Sequence, residues 1–366
     1  MKIGESAGMT VIKAGLFRHL GSIALAALIS SSLVTGDAAS ADDTPAKQLF
    51  GTVQLPSNSA PSPIGFYAKG CMAGAVAIPT DGPSWQAMRL SRNRRWGNPA
   101  MIELLEKFSK DAVRLGWGSG ILIGDISQPR GGPMLSGHSS HQVGLDADIW
   151  FTPMPEQRLS AQAREDLPFT SMLDKSKFLT VNSKRWTPAH AKVVMRAASY
   201  PQVERVFVNP AIKKKLCDTW TGDRSLLGKV RPIYGHDEHF HIRMHCPAGT
   251  SGCKAQAPVA SGDGCDKSLA WWFTKEPWAK PGKKPGEKPV KPRFATLADL
   301  PKACAAVLAA PAASGQSATV GTAYVAPQVQ PASQTGDAAI QQVINAGAGD
   351  LPDNTIPIPV SRPSLQ

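Results

Sequence analysis

The 366-residue chain predicts an α+β fold: an antiparallel sheet with helices packed on it, followed by a disordered C-terminal tail. Three observations carry this expectation. Segments with apolar residues at helical spacing are interspersed with short, alternating, β-former-rich segments. Their order lacks the regular strand–helix repeat of a doubly wound sheet, which favours helices packed against an antiparallel sheet. Beyond about residue 310 the chain is dominated by Ala, Pro, Gln and Ser, and cannot bury enough apolar surface to offset its ordering entropy.

At the start, Lys13 and Arg18 precede an apolar stretch from Leu20 to Leu33, and Ala39-Ser40-Ala41 fits a small-residue cleavage site. Residues 1–41 therefore read as a cleaved signal peptide; the stretch is short for an uncleaved anchor. No later segment approaches the length needed to cross a bilayer, so no stable membrane insertion is expected after cleavage. Residues 42–65 are a polar lead-in and 66–280 the globular domain. Within it, 101–115 (MIELLEKFSKDAVRL) has helical apolar spacing, and 121–126 is a β-like run ended by Pro129 and Gly131-Gly132. Residues 146–151 alternate as a strand. Residues 188–198 form a helix with proline in its first turn. Residues 203–208 are a strand stopped by Asn209-Pro210, 211–217 a short helix, and 238–244 (EHFHIRM) an alternating strand. Residues 281–309 comprise a Lys/Pro-rich linker and a short apolar segment around Cys304 that a disulfide can return to the domain. Residues 310–366 are the tail.

The six cysteines, Cys71, Cys217, Cys246, Cys253, Cys265 and Cys304, all follow the cleavage site and contain no CxxC pair. In an exported chain an even count reads as disulfides. Six cysteines allow about fifteen pairings, and the spacing alone singles out only Cys246 and Cys253 as close enough for a local staple. The formal charge of +12 suits an anionic partner such as an acidic wall polymer. Nucleic acid is set aside, since no recognition-module motif occurs and the chain is read as exported.

Five of the eight histidines fall in two short stretches about ninety positions apart, SGHSSHQVGLDAD and HDEHFH. Imidazole and carboxylate together make a borderline-soft donor set that suits Zn²⁺, and a catalytic zinc takes three protein ligands and keeps one position for water. His141, Asp148 and His241 would supply that set. Side chains two apart on a strand share a face, so His239 projects with His241, and Asp146 with Asp148. Two adjacent strands would then place the zinc site on the sheet. His141 would reach in from the preceding turn, which Gly144 makes flexible. His239, one pleat from His241, is the candidate proton acceptor. His236 is placed to stabilise an oxyanion or orient a substrate, and Asp146 to hold a ligand imidazole in one tautomer. His138 is a further ligand or a polar lining group. The RLSRNRRWG run (89–97) reads first as a solvated turn or helix start, and secondly as a contact for anionic substrate groups. Trp271-Trp272-Phe273 reads as packing.

The motifs HxxGxDxD after SGHxS, and GHDxHFHxRxxCP, together with the blocks QAMRLSRNRRWG, RVFVNPAIKKKLC and LGKVRP in that chain order, make the chain resemble penicillin-insensitive murein endopeptidases over roughly residues 65–275. The resemblance implies zinc held at His141, Asp148 and His241, a histidine at His138, and a catalytic histidine at His239. It also implies an α+β domain around an antiparallel sheet, and disulfides Cys71–Cys304, Cys217–Cys265 and Cys246–Cys253. The reaction implied is hydrolysis of the D-alanyl–meso-diaminopimelyl cross-link of peptidoglycan in the periplasm, indifferent to β-lactams. A D-Ala-D-Ala carboxypeptidase and a non-catalytic wall-binding protein are the alternatives. Some relatives hold a second metal through an aspartate and a histidine between the two motifs. Here that stretch (SMLDKSKFLTVNSKRW) has no histidine.

Overall fold

The computed structural model describes residues 43–279 and 293–315. The signal-peptide segment, most of the Lys/Pro linker and the tail beyond residue 315 lie outside the described residues. Seven strands form the main sheet: β1 (Asp81–Gly82), β2 (Trp85–Ala87), β3 (Ile121–Ile123), β4 (Asp146–Pro153), β5 (Val203–Val208), β6 (Val230–Pro232) and β7 (His239–Met244). Their spatial order is β6-β5-β7-β4-β3-β2-β1.

The four central strands β5, β7, β4 and β3 pair antiparallel as expected. The flanks correct that expectation, because β6 runs parallel to β5, and β2 parallel to β3. The sheet is therefore mixed. Each parallel pair is joined by a chain segment that contains a helix, the connection parallel strands require. Helix α2 (Pro99–Arg114) lies between β2 and β3, and α4 (Pro210–Thr219) between β5 and β6. Both short flanking strands have only three residues, too few to show an alternating pattern.

Helices start where local chemistry dictates. Asn98 precedes α2, its side chain accepts from Ala100 N at 3.1 Å, and proline opens the helix, which meets the free N–H groups of the first turn. Asn209 and Pro210 do the same for α4. Helix α3 (Pro188–Ser199) is closed at its start by a Thr187/His190 capping box. Helices α2 and α3 bury Leu105, Phe108, Val193 and Val194 in a core shared with Ala147 and Ile149 of β4 and Phe240 and Ile242 of β7. Phe240 meets Phe108 edge-on at 6.1 Å between ring centres. One face of the central strands is thus committed to the core, and by strand alternation the opposite face carries Asp146, Asp148, His239 and His241.

A second, smaller cluster joins the first and last of the described segments. Helix α1 (Ala46–Gly51), a hairpin of Ser62–Phe66 with Lys69–Ala73, and helix α5 (Ala303–Ala309) pack Phe50, Ile64, Leu300 and Val307 together. The boundary expected at residue 65 falls inside this hairpin. Arg130 donates through Nη1 to the Val307, Leu308 and Ala310 carbonyls at 2.7, 2.7 and 2.8 Å, placing a cation on the carbonyl end of α5. Cysteines pair as Cys71–Cys304, Cys217–Cys265 and Cys246–Cys253. Among the described residues no helix is long and apolar enough to cross a membrane.

Candidate metal centre

The register of β4 against β7 sets His241 opposite Asp148, and Arg243 opposite Asp146. His141 enters from the long segment before β4, with its own backbone left-handed at φ 68°. Gly144 also has positive φ, and a Cβ there would lie 2.0 Å from Met72 Sδ and 3.0 Å from Asn98 N, so a side chain in this turn would be strained. The elements thus deliver four of the expected side chains to one point.

The hydrogen bonds around that point fix where each ring presents its lone pair. His141 Nδ1 lies 2.7 Å from the Ile126 carbonyl and donates to it, leaving Nε2 as the acceptor. His241 Nε2 donates to Asp146 Oδ1 at 2.7 Å, leaving Nδ1 as the acceptor. These two lone-pair nitrogens face the same carboxylate oxygen, Asp148 Oδ1, at 3.4 and 3.6 Å. His138 Nε2 sits 3.4 Å from Asp148 Oδ2 and 3.0 Å from Asp125 Oδ2. The donor atoms of His138, His141 and Asp148 all lie within 4.8 Å of one another.

These residues fit a metal ion. His141 Nε2 and Asp148 Oδ1 are both buried and neither has a hydrogen-bond partner. A lone pair and a carboxylate oxygen left unmet inside a protein are costly, and a cation held between them removes the cost. The electrostatics point the same way. Burial by itself would push the His141 imidazole down, but the Asp148 and Asp146 carboxylates raise it to about 9, so the field at this point favours positive charge. Burial holds His241 at about 4, burial also lowers His239, and burial with its histidine neighbours lowers His236. These rings are neutral and available as bases or ligands. Asp148 is kept well below the carboxylate range, against its burial, by His239, His141 and His138.

The remaining expected residues rim the cluster. His239 Nε2 lies 3.7 Å from Asp148 Oδ1, and its side chain retains 21% exposure against 6% for His241. His236 is left-handed at φ 54°, donates Nδ1–H to the Tyr234 carbonyl at 2.8 Å, and stacks 5.0 Å from the His239 ring. The mouth is therefore lined by His138, His236 and His239, and the floor by His141, Asp148 and His241.

Sequence reasoning missed two supporting groups. Asp125, just after β3, is 4% exposed. Its Oδ2 accepts from His138, from Arg94 at 2.9 Å and from Arg92 at 3.2 Å, and His138 and Arg94 hold it down at about 2 despite burial. Arg243 donates to Asp146 Oδ1 at 2.7 Å. A signal for Arg243 was present, since it stands two residues beyond His241 on the same strand face. None was present for Asp125. The Arg-rich run holds a short 3₁₀ helix at Leu90–Arg92 with Ser91 and Arg92 exposed, in keeping with a solvated helix start, but Arg94 is buried and with Arg92 serves Asp125, and Arg89 donates to the Arg164 and Leu167 carbonyls. In the segment between the motifs, Asp174 pairs with Lys177, and among the described residues no second group of converging donors forms there.

Two imidazole lone pairs converging on a buried carboxylate, with further histidines at the rim, are the equipment of a metal-dependent hydrolase. Comparison with known proteins agrees. The family model described as penicillin-insensitive murein endopeptidase matches residues 63–309. A penicillin-insensitive murein endopeptidase of Haemophilus influenzae is 46% identical over 231 residues, covering 63% of this chain and 79% of that protein. One of Klebsiella pneumoniae is 37% identical over 257 residues, covering 70% and 89%. One of Yersinia enterocolitica is 40% identical over 234 residues, covering 62% and 82%. The protein is a metallopeptidase. More narrowly, the chain belongs to the penicillin-insensitive murein endopeptidase family.

Proposed function

We propose that this protein is a periplasmic zinc endopeptidase that hydrolyses the D-alanyl–meso-diaminopimelyl cross-link of peptidoglycan, with His141, Asp148 and His241 as ligands and His138 as a fourth donor beside them. The observation that carries the reading is the pair of buried, unpartnered atoms, His141 Nε2 and Asp148 Oδ1, faced by His241 Nδ1 at 3.6 Å from that same oxygen. Nitrogen-rich mixed donors suit zinc above the alkaline-earth ions. Export is supported by three disulfides, which persist in oxidising compartments.

A bound zinc would supply Lewis-acid chemistry, activating water and polarising the scissile carbonyl. The protein's residues do the rest. His239, neutral and at the rim, accepts the water proton at Nε2 and returns it to the departing diaminopimelyl amine. His236, whose Nδ1–H is committed to Tyr234, steadies the His239 side of the mouth and orients the substrate. Asp146 keeps His241 in the tautomer that leaves Nδ1 free. No serine acyl-enzyme forms in this scheme, so β-lactams have no nucleophile to trap.

The test is incubation with purified cross-linked dimeric muropeptides, with and without a chelator, alongside elemental analysis of wild type and Asp148→Ala. Zinc-dependent release of monomer, with one zinc per chain that the variant loses, is expected. Release of D-Ala from uncross-linked stems in place of monomer would redirect the assignment to a carboxypeptidase, and no release at all would end it.

A further inference from the structure

A cleft of about 330 Å³ lies beside the metal centre, lined by Phe169, Ser171, Leu173, Lys175, Asn182 and Arg185. Its wall is tied to the strand that carries His239. Ser171 Oγ donates to the Asp237 carboxylate, and Met172 N donates to the Asp237 carbonyl at 2.7 Å, two residues before His239. The wall residue Phe169 packs against Trp150, tilted, at 4.4 Å between ring centres, and Trp150 is the register partner of His239. The cleft is also pre-built. Leu173 bridges Val181, Asp174 N donates to the Thr180 carbonyl at 2.8 Å, and Asn182 N donates to the Met172 carbonyl at 2.8 Å.

Its polar groups have one character. Lys175 and Arg185 are exposed, and neither is within ion-pair distance of a carboxylate among the described residues. Arg185 spends one guanidinium nitrogen on the Ser171 carbonyl at 2.9 Å and keeps the others. Asn182 Oδ1 is taken by Lys184 N at 2.9 Å, which leaves its amide NH₂ as the group it can offer, a donor. Of the nearby carboxylates, Asp237 is taken by Ser171, and Asp174 by Lys177 at 3.6 Å and the Ser176 hydroxyl at 2.7 Å; Glu238 lies within electrostatic reach of Lys175 but outside ion-pair distance. A cleft with two cations, one amide donor and an apolar wall suits a short peptide arm bearing a carboxylate.

We propose that this cleft is a specificity subsite for a substrate carboxylate, anchored by Lys175 and Arg185. The proposal rests on the endopeptidase reading above, since the cross-linked stems carry carboxylates on either side of the scissile amide.

The experiment compares the holoenzyme with Lys175→Ala, Arg185→Ala and Arg185→Lys on two dimeric muropeptides, one with free carboxylates and one with those groups converted to carboxamides. Each alanine variant should raise KM about 10-fold or more on the free-acid dimer with kcat retained, Arg185→Lys should recover part of the loss, and all four proteins should handle the carboxamide dimer equally. Equal losses on both dimers, or no loss on either, would overturn the subsite. Among the described residues Lys175 makes no hydrogen bond, so its variant reports on the cleft even if Arg185→Ala perturbs the segment. Binding of an uncross-linked stem peptide ending in diaminopimelate, free-acid against carboxamide, is measured in parallel by calorimetry. If wild type cleaves neither dimer yet binds the free acid in a Lys175-dependent way, the subsite stands and the reaction assignment falls. If binding is indifferent to charge and to Lys175, the subsite falls.

Discussion

Replacing Asp146 with asparagine separates the support of the metal centre from the centre itself. Asp146 is fully buried. It accepts from His241 Nε2 at 2.7 Å, from Arg243 Nε at 2.7 Å and from the His141 backbone N–H at 3.1 Å. Asparagine keeps the shape and removes the charge. It leaves the Arg243 guanidinium, 7% exposed, without its carboxylate, and breaking a buried pair from one side costs about 3–5 kcal/mol. It also removes the charged acceptor that holds His241 with Nδ1 free, and loss of such a supporting partner weakens metal binding about 10- to 100-fold. Urea unfolding of the metal-free proteins reads the first effect, and competition against a chelator of known zinc affinity reads the second. Both losses are expected together. Lowered stability with unchanged zinc affinity would show that Asp146 serves Arg243 alone, and no change in either would refute the reasoning.

Three other outcomes follow from the structure. His239→Ala should lower kcat about 10²- to 10⁴-fold while zinc content holds; unchanged turnover would remove His239 from proton transfer. Cys71→Ser with Cys304→Ser opens a bridge between residues 233 positions apart, and should cost about 2–5 kcal/mol in the urea midpoint, with a wild-type midpoint showing that the α1–α5 cluster holds without it. His190 is 7% exposed between Trp117 and Trp186 at 4.8 and 5.2 Å, and burial pushes its imidazole down to about 4. The unfolded chain therefore binds the proton first, and stability is lost as pH falls from about 6.5 towards 4, by on the order of 2 kcal/mol. His190→Gln keeps a Thr-x-x-Gln capping box but cannot titrate, so its melting temperature should fall less than wild type's between pH 7 and 4.5; an equal fall would place the sensitivity elsewhere.

Local periodicity proved a sound guide wherever a segment is long enough to repeat. Strand β5 spans 203–208, ended at Asn209-Pro210 as read, and α2 and α3 lie within two residues of their expected ranges, whereas the β-like run read over 121–126 is a strand only at 121–123. The shared face of His239 and His241 is a consequence of the strand repeat alone. The three-residue strands β2 and β6 lie below that threshold, and so the parallel flanks of the sheet went unseen.

What the sequence by itself determined is the set of candidate donors and the faces that the strand residues among them occupy, because a side chain's direction on a strand follows from position parity and needs no tertiary contact. The register that sets His241 opposite Asp148, the His141 backbone turned to φ 68°, the capture of His138 by Asp125 and the Lys175–Arg185 cleft were decided only by the folded molecule. Each depends on which distant segments pack together, and that is settled by the shared core beneath the sheet and not by any local pattern.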